Sequence, residues 1–424
     1  MNVIGKADLV VIGGGASGLM CACQAAENGC SVIVLDGNKL PGRKVRITGK
    51  GRCNLTNNTP IRDFFTNLPG DGRFLYSALN RFSPEDTMAF FESNGIPLKT
   101  ERGGRVFPVS DNANDVADCL SRLCREAGVT MLRRRADSIL VQNGAVSGVH
   151  TEGDVLACTA AALCTGGLSY PLTGSDGIGY RIAKTLGHTI TPLRPSLIPL
   201  ESDDAFCAAL QGFSLKNVTL RAYENDKLIF SELGEMLFTH FGVSGPLVLS
   251  ASAHMRHFGE AVYRLEIDLK PGLDEEKLDA RILRDLAEAP KRTIGNLMPG
   301  LTGRSMAPVI LDMAGVSTDV PASSLTQGQR CSIRRVLKAF PISVKGTRPV
   351  EEAIVTAGGV STIEVNPRTM ESKLVKGLFF AGEILDLEAY TGGFKLQIAW
   401  STGFVAGNSI PKIHQDESGE GEKK

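Results

Sequence analysis

None of the ten cysteines forms a C-x-x-C pair, and none joins a histidine at zinc-ligand spacing. That pattern argues against a dithiol redox motif and a zinc site, and fits reduced thiols in a cytoplasm. Net charge is missing as well. With 46 Lys and Arg against 46 Asp and Glu, no global basic surface advertises nucleic acid, although local patches stay open. No apolar run approaches the roughly eighteen residues that a membrane span requires. The first strand begins close behind Met1, which leaves no room for a signal peptide. The expectation is a cytoplasmic globular protein, and 424 residues exceed one ordinary core, so two or three domains are expected.

What the chain does have comes first in it: DLVVIGGGASGLMCACQAAENGCSVIVLD, residues 8–36. Leu9 to Ile12 reads as a buried strand, Leu19 to Asn28 as an apolar-periodic helix, and Ser31 to Leu35 as a second strand ending at Asp36. Between strand and helix stand Gly13, Gly15, Ala16, Ser17 and Gly18, a G-x-G-x-x-G turn. Gly13 is expected to make the tight turn, Gly15 to let a pyrophosphate approach the backbone, and Gly18 to let helix and strand pack closely. The helix N-terminus offers N–H groups and a positive dipole end to phosphate. Asp36 is placed to accept hydrogen bonds from an adenosine ribose and to repel a 2′-phosphate. By itself this unit leaves NAD and FAD both open.

Next comes GNKLPGRKVRITGKGRCNLTNN, with Arg43, Lys44, Arg46, Lys50 and Arg52 and no acid. Such a loop can lie along a dinucleotide, with bases meeting phosphate while Gly49 and Gly51 permit close approach; the alternative is a solvated basic loop. The stretch GKGRCNLTN resembles the signature of the HI0933-like, or BaiN-type, flavoproteins, a branch of the two-dinucleotide-binding-domain flavoproteins. The resemblance implies that Arg43, Lys44, Gly49, Gly51, Arg52, Cys53, Asn54 and Thr56 lie along FAD. For Cys53 a redox thiol and a packing or flavin-contact role both stand, the second preferred because no resolving cysteine is near in sequence.

Ser83-Pro84-Glu85-Asp86 is a helix start, with Ser83 as cap, and Asp111 or Asn112 caps a helix over residues 114–127. Alternating strands follow, with a turn at Asn143-Gly144, and they read as a β-meander inserted in the nucleotide fold. By position Ala136 matches the family residue that meets the adenine, and Thr165-Gly166-Gly167 resembles the family's second flavin-contacting turn. GSDGIG, residues 174–179, is not read as a second nucleotide loop, because LSYPLT stands where the preceding strand would be. From Pro192 short alternating strands, a charged helix and a broken helical run predict an inserted domain, part β-barrel and part helical. Within it GEMLFTHFGVSGPLVLSAS resembles a family signature carrying His240, Ser244, Gly245 and Pro246. His240 is a candidate proton donor or a structural residue. Residues 330–348 hold six basic residues and no acid, either a solvated face or a site for an anionic partner such as RNA or NAD(P)H phosphates.

The nucleotide fold then resumes. The strand over residues 378–381 ends at Gly382-Glu383, which resembles the Gly-acid motif holding the ribityl chain of FAD. Glu383 stands where many such enzymes have Asp, and Asp386 is a second candidate. Gly392 and Gly393 open the last helix, with Phe394, Lys395 and Leu396 at its start. The family usually has Gly-Gly-Tyr-Asn here, so Phe394-Lys395 removes a phenol and adds a cation; Lys395 either favours the anionic reduced flavin or points to solvent.

The expected fold is α/β, a Rossmann-like FAD-binding domain over residues 1–191 and 347–408, an insert over 192–346 and a disordered tail over 409–424. FAD is the expected cofactor, with NAD(P)H as transient reductant. The resemblance implies reduction of a C=C bond conjugated to a carbonyl, in a 3-oxo bile acid or similar steroid enone. Two alternatives stand: reduction of uridine to dihydrouridine in ribosomal RNA, and a non-catalytic flavin-binding protein. Tyr390, His240 and Cys53 are the candidate proton donors beside water.

Overall fold

The computed structural model describes residues 2–70, 72–349 and 352–411; most of the tail expected to be disordered, from Lys412 on, lies outside the described residues. Two compact units make up the chain, one of Met1–Pro195 with Ile354–Lys424, the other of Ser196–Ala353.

In the first unit a parallel sheet runs Thr130–Leu132, Val32–Leu35, Val3–Ile12, Asp154–Leu163, with Leu378–Phe380 on the far side of the last. Leu9, Val10 and Val11 are fully buried, as expected of a parallel sheet covered on both faces, whose strands read as unbroken apolar runs. Each such side chain contributes about 1.5–3 kcal/mol of burial. Asp154–Leu163 also belongs to an antiparallel meander with Ala136–Gln142 and Ala145–Thr151. The hairpin between the last two turns at Asn143 and Gly144, both with positive φ (54° and 77°), the conformation that Asn-Gly favours.

Helix termini follow local chemistry. Pro84–Ser93 starts with a capping box in which Ser83 and Asp86 each accept the other's backbone N–H, and Ala113–Glu126 is capped by Asn112. The last helix, Phe394–Gly407, packs on the first, Ala16–Glu27, at glycine contacts. A Cβ on Gly403 would lie 2.4 Å from the Ser17 carbonyl oxygen, and one on Gly407 2.4 Å from that of Cys21. Only glycine allows that approach, and it brings the end of the chain against its beginning.

The second unit holds a seven-stranded antiparallel sheet whose edges are Phe340–Val344 and Gly346–Thr347. These edges are successive pieces of one segment, separated by Lys345 alone. Phe340–Val344 pairs with Tyr263–Asp268 and Gly346–Thr347 with Leu200–Glu201, so the sheet curls round until one segment joins its two sides. Helices Glu275–Glu288 and Gln327–Lys338, with the short helices Ile294–Leu297, Pro299–Thr302 and Met306–Met313, supply the helical part.

The unit boundaries fall at Ser196 and Ala353, where residues 192 and 346 were expected. Thr191 donates its N–H to the Gly359 carbonyl (2.8 Å), which ties that end to the first unit. Gly346–Thr347 is a strand of the second sheet, and Arg348 reaches Glu201 at 2.8 Å. Among the described residues no helix is long and apolar enough to cross a membrane.

Candidate functional site

The parallel strands deliver their C-terminal ends to one place: Ile12 leads to Gly13, Leu35 to Asp36, Leu163 to Cys164-Thr165, and Phe380 to Ala381-Gly382. A cavity of about 450 Å³ opens there, lined by residues from all four junctions. This is where α/β sheets bind ligands.

The three glycines of the first turn differ as the chemistry requires. Gly13 has φ 102°, and a Cβ on it would meet the Cys164 carbonyl oxygen at 2.6 Å. At Gly18 a Cβ would sit 1.9 Å from the Gly13 carbonyl oxygen, whereas at Gly15 it would meet nothing within 4 Å. The open face of Gly15 borders the cavity. Helix Ala16–Glu27 has no side-chain cap and no acid in its first turn, which leaves its N–H groups and dipole to an anion. Asp36 accepts from the Gly14 N–H at 2.9 Å and, through its other oxygen, from the Asn38 backbone and side-chain N–H at 2.8 and 2.9 Å. Its carboxylate is thereby fixed at the cavity wall. Ala136 lines the same cavity, as do Arg134 and Arg135 just before it in the chain. Arg134 pairs with Asp154 at 2.7 Å and Arg135 with Asp176.

Three charged groups mark the part contributed by the chain's end. Lys44 donates to Glu383 (2.8 Å) and to the Ser169 hydroxyl (2.7 Å). Glu383 also accepts the Thr356 N–H at 2.9 Å. Burial pushes the Glu383 carboxyl up, but Lys44 and Lys395, with the hydrogen bonds from Lys44 and the Thr356 N–H, hold it below the usual carboxylate range. Lys395 does not run to solvent. It lines the cavity, its ammonium donates to the Leu387 carbonyl at 2.9 Å, and burial lowers its pKa below the usual lysine value against the pull of Glu388 and Glu383. Thr165 and Gly166 line the cavity too. Gly167 does not; a Cβ there would press the Thr356 hydroxyl at 2.5 Å.

Gly13, Gly15, Ala16, Ser17, Asp36, Arg43, Lys44, Ala136, Thr165, Gly166, Gly382, Glu383, Lys395 and Leu396 thus share one cavity. Gly18 supports the turn from behind. The GKGRCNLTN segment is more divided. Gly49 and Gly51 take positive φ (62° and 83°), but neither lines the cavity. Arg52 is held by Glu101 and Asp111 and stacks over Phe107 at 4.1 Å. Cys53 is fully buried, and desolvation pushes its thiol up to about 12, which disfavours the reactive thiolate. The Asn54 side-chain oxygen is buried, and Thr56 donates to Gln397 at 2.5 Å. Thr56 also locks Gly393, whose Cβ would lie 2.3 Å from the Thr56 carbonyl oxygen. The Asn57 side chain donates to the Gly392 carbonyl at 2.9 Å, while Phe394 packs edge-on against Phe64 at 5.0 Å. The segment therefore braces the start of the last helix. Asp386 lies off the cavity wall, its N–H donated to Val360 (3.0 Å), as does Tyr390, whose N–H goes to Asn67 (3.0 Å).

In the second unit His240 is exposed in the turn between Lys227–Thr239 and Gly242–Ser244. Gly245, φ 96°, precedes helix Pro246–Ser252. The basic segment over residues 330–348 is not a stripe of open cations. Arg330 pairs with Asp279 (2.8 Å), Arg334 with Glu275 and Asp279 (3.5 and 3.4 Å), Lys338 with Asp268 (2.5 Å), Lys345 with Asp203 (2.9 Å) and Arg348 with Glu201 (2.8 Å). Arg335 alone of the six has no acid partner among the described residues.

Sequence reasoning missed Asn38, Thr48 and Ser175, which line the cavity. Asn38 had a signal, its place two residues after Asp36, where a side chain can bond back to the carboxylate. Ser175 stands in GSDGIG, a loop that builds a wall of this cavity.

Fold and cavity define a class, proteins built on a Rossmann-type dinucleotide-binding domain. The 3-ketosteroid-Δ4-(5α)-dehydrogenase of Rhodococcus jostii RHA1 shares this fold, with TM-score 0.56 at 14% identity, covering 97% of this chain and 98% of that one. Within the class the chain belongs to the HI0933-like protein family, whose Rossmann domain matches residues 7–409. It is 31% identical over 416 residues to a 3-dehydro-bile acid Δ4,6-reductase of Clostridium scindens, across 96% of this chain and 99% of that protein. It is 30% identical over 404 residues to a ribosomal RNA dihydrouridine synthase of Escherichia coli, across 95% and 98%.

Proposed function

We propose that this chain reduces a C=C bond conjugated to a carbonyl in a 3-oxo bile acid or similar steroid enone, with FAD resident in the cavity and NAD(P)H as transient reductant. The observation that supports it best is the full-length likeness to the Clostridium scindens reductase. The cavity's chemistry fits the cofactor: an uncapped helix N-terminus behind an open glycine would take the pyrophosphate, Asp36 the ribose, and Ala136 would border the adenine. FAD supplies, when bound, a hydride acceptor and donor for an electron-poor carbon. The chain's own part is to bind and orient. Gly15 and the first turn of the helix would hold phosphate, Asp36 is fixed by Gly14 and Asn38, and Lys44 and Glu383 set each other's position. Cys53 is not the proton donor in this reading, because its thiol is fully buried and reaches neither the cavity nor solvent; Tyr390, His240 and water are left.

A second reading is favoured by the Escherichia coli relative, at nearly the same identity and coverage. Uridine's C5=C6 bond is also conjugated to a carbonyl, so the same hydride chemistry serves a polyanionic substrate. One experiment separates them. The FAD-loaded protein is reduced anaerobically with NADH or NADPH, then offered an enone steroid or unmodified ribosomal RNA, and reoxidation is followed at the flavin band. Steroid-driven reoxidation is expected; RNA-driven reoxidation selects the second reading. Failure of both nicotinamides to bleach the flavin would leave a non-catalytic flavin-binding protein.

A further inference from the structure

The strand order fixes the direction in which a dinucleotide lies. Asp36 follows Val32–Leu35, the glycine turn follows Val3–Ile12, and Glu383 follows Leu378–Phe380, which lies three strands across the sheet from Val32–Leu35. At about 4.8 Å per strand that is on the order of 14 Å. With the ribose of adenosine on Asp36 and the pyrophosphate at Gly15, the other half of the molecule extends toward Lys44, Glu383 and Lys395, which line the same cavity. Three acids act on Lys395, namely Glu388, Glu383 and Asp386, but none of them forms an ion pair with it among the described residues. Lys44 is matched by Glu383 at 2.8 Å. Lys395 donates to a neutral carbonyl, that of Leu387. Glu388, the acid whose field acts on it most, is itself engaged by Arg194 at 3.2 Å.

We infer that Lys395 is an electrostatic tuning residue, an unmatched cation fixed inside the cavity so that the bound flavin is easier to reduce. The inference rests on the FAD reading above. Transfer of a hydride from NAD(P)H carries two electrons and one proton. The oxidised nicotinamide gains one positive charge and the flavin one negative charge, located in its pyrimidine ring. A fixed ammonium favours the charged, reduced form over the neutral, oxidised one, in a site where little water screens it. Lys395, which lines the cavity, therefore acts on redox behaviour and is not a surface charge.

The test is the midpoint potential of the FAD-loaded protein, measured spectroelectrochemically against a reference dye for wild type, Lys395→Met, Lys395→Arg and Glu383→Gln. Lys395→Met is expected to shift the oxidised-to-reduced ratio about tenfold toward oxidised at a given potential, equivalent to about 30 mV for a two-electron couple. Lys395→Arg keeps the charge and stays near wild type. Glu383→Gln, close in shape, leaves Lys44 unmatched and moves the potential upward. Should Lys395→Met not retain FAD, the other two variants decide: a wild-type potential in Glu383→Gln, or a drop in Lys395→Arg as large as that expected for methionine, overturns the inference. FAD-loaded variants that all share the wild-type potential overturn it alone, whereas a wild-type protein that takes up no FAD overturns the reading beneath it.

Discussion

Gly15→Ala separates holding the fold from holding the ligand. Gly15 sits at φ −84°, a value any residue adopts, and a Cβ there meets nothing within 4 Å. The unliganded protein should therefore accept the methyl with a stability change within about 0.5 kcal/mol. That methyl nevertheless stands where phosphate must approach the backbone. Losing one charge-assisted hydrogen bond to a backbone N–H costs about 1.5–3 kcal/mol, and at about 1.4 kcal/mol per decade FAD affinity should fall roughly ten- to a hundredfold. Gly18→Ala is the contrast: its Cβ would lie 1.9 Å from the Gly13 carbonyl oxygen, so the backbone itself must move and the unliganded protein should melt earlier. Urea or thermal unfolding of the apo-proteins, paired with FAD titration by fluorescence quenching, measures both quantities. Wild-type affinity in Gly15→Ala, or an apo stability loss equal to that of Gly18→Ala, would refute the assignment of these two glycines.

Asp36→Ala removes the ribose acceptor and strands the Gly14 and Asn38 N–H groups, so FAD retention on gel filtration should drop at least about tenfold, as one charged hydrogen bond implies; full occupancy would contradict the assignment. Lys338→Met leaves Asp268, whose side chain is 6% exposed, without its ion-pair partner. It also frees the Lys270 and Leu273 carbonyls that Lys338 holds at 3.2 and 2.8 Å. The loss should be about 3–5 kcal/mol, and a urea-derived loss under about 1 kcal/mol would show the pair to be dispensable. His188 is buried between Glu364 (3.2 Å) and Ser372 (2.9 Å), and burial lowers its pKa below the ordinary 6.5 despite Glu364. The unfolded chain thus binds a proton that the folded one refuses; this stability is full above about pH 6.5 and is lost as pH falls through the lowered folded value. The thermal midpoint should decline from pH 8 to pH 5.5 in wild type and decline less in His188→Gln, and equal slopes would assign the decline to other groups.

The nucleotide turn was legible because its requirements are local. Strand, three glycines, helix and acid lie within thirty residues, and each glycine's reason is a backbone distance that the spacing already implies. The meander turn at Asn143-Gly144 and the Ser83 cap were legible for the same cause. Asp386 and Glu383 show where that reach ends. Both acids follow the strand Leu378–Phe380 closely, and sequence spacing alone cannot say which one turns into the cavity. The short helical turn Gly382–Ile384 decides it, placing Glu383 against Lys44, a residue 339 positions earlier.

The basic stretches show the same limit in another form. Arg52 and the run from Arg330 to Arg348 look like anion sites because no acid interrupts them, yet the chain supplies their acids from elsewhere: Glu101 and Asp111 to Arg52, Asp279 to Arg330 and Arg334, Asp268 to Lys338. A helix brings two residues four apart to one face, but only the tertiary fold brings Asp279 to Arg330. This bears directly on the choice of substrate. If RNA is reduced here, neutralising Arg334 and Lys338 would break ion pairs within the second unit as well as any contact with phosphate, so lost RNA retention in those variants would not distinguish a binding surface from a damaged fold. Arg335, without an acid partner among the described residues, is the position where charge can be removed cleanly. Arg335→Gln that weakens RNA retention and flattens its salt dependence, at unchanged stability, would count for a polyanionic substrate; retention unchanged would leave this segment a self-neutralised face.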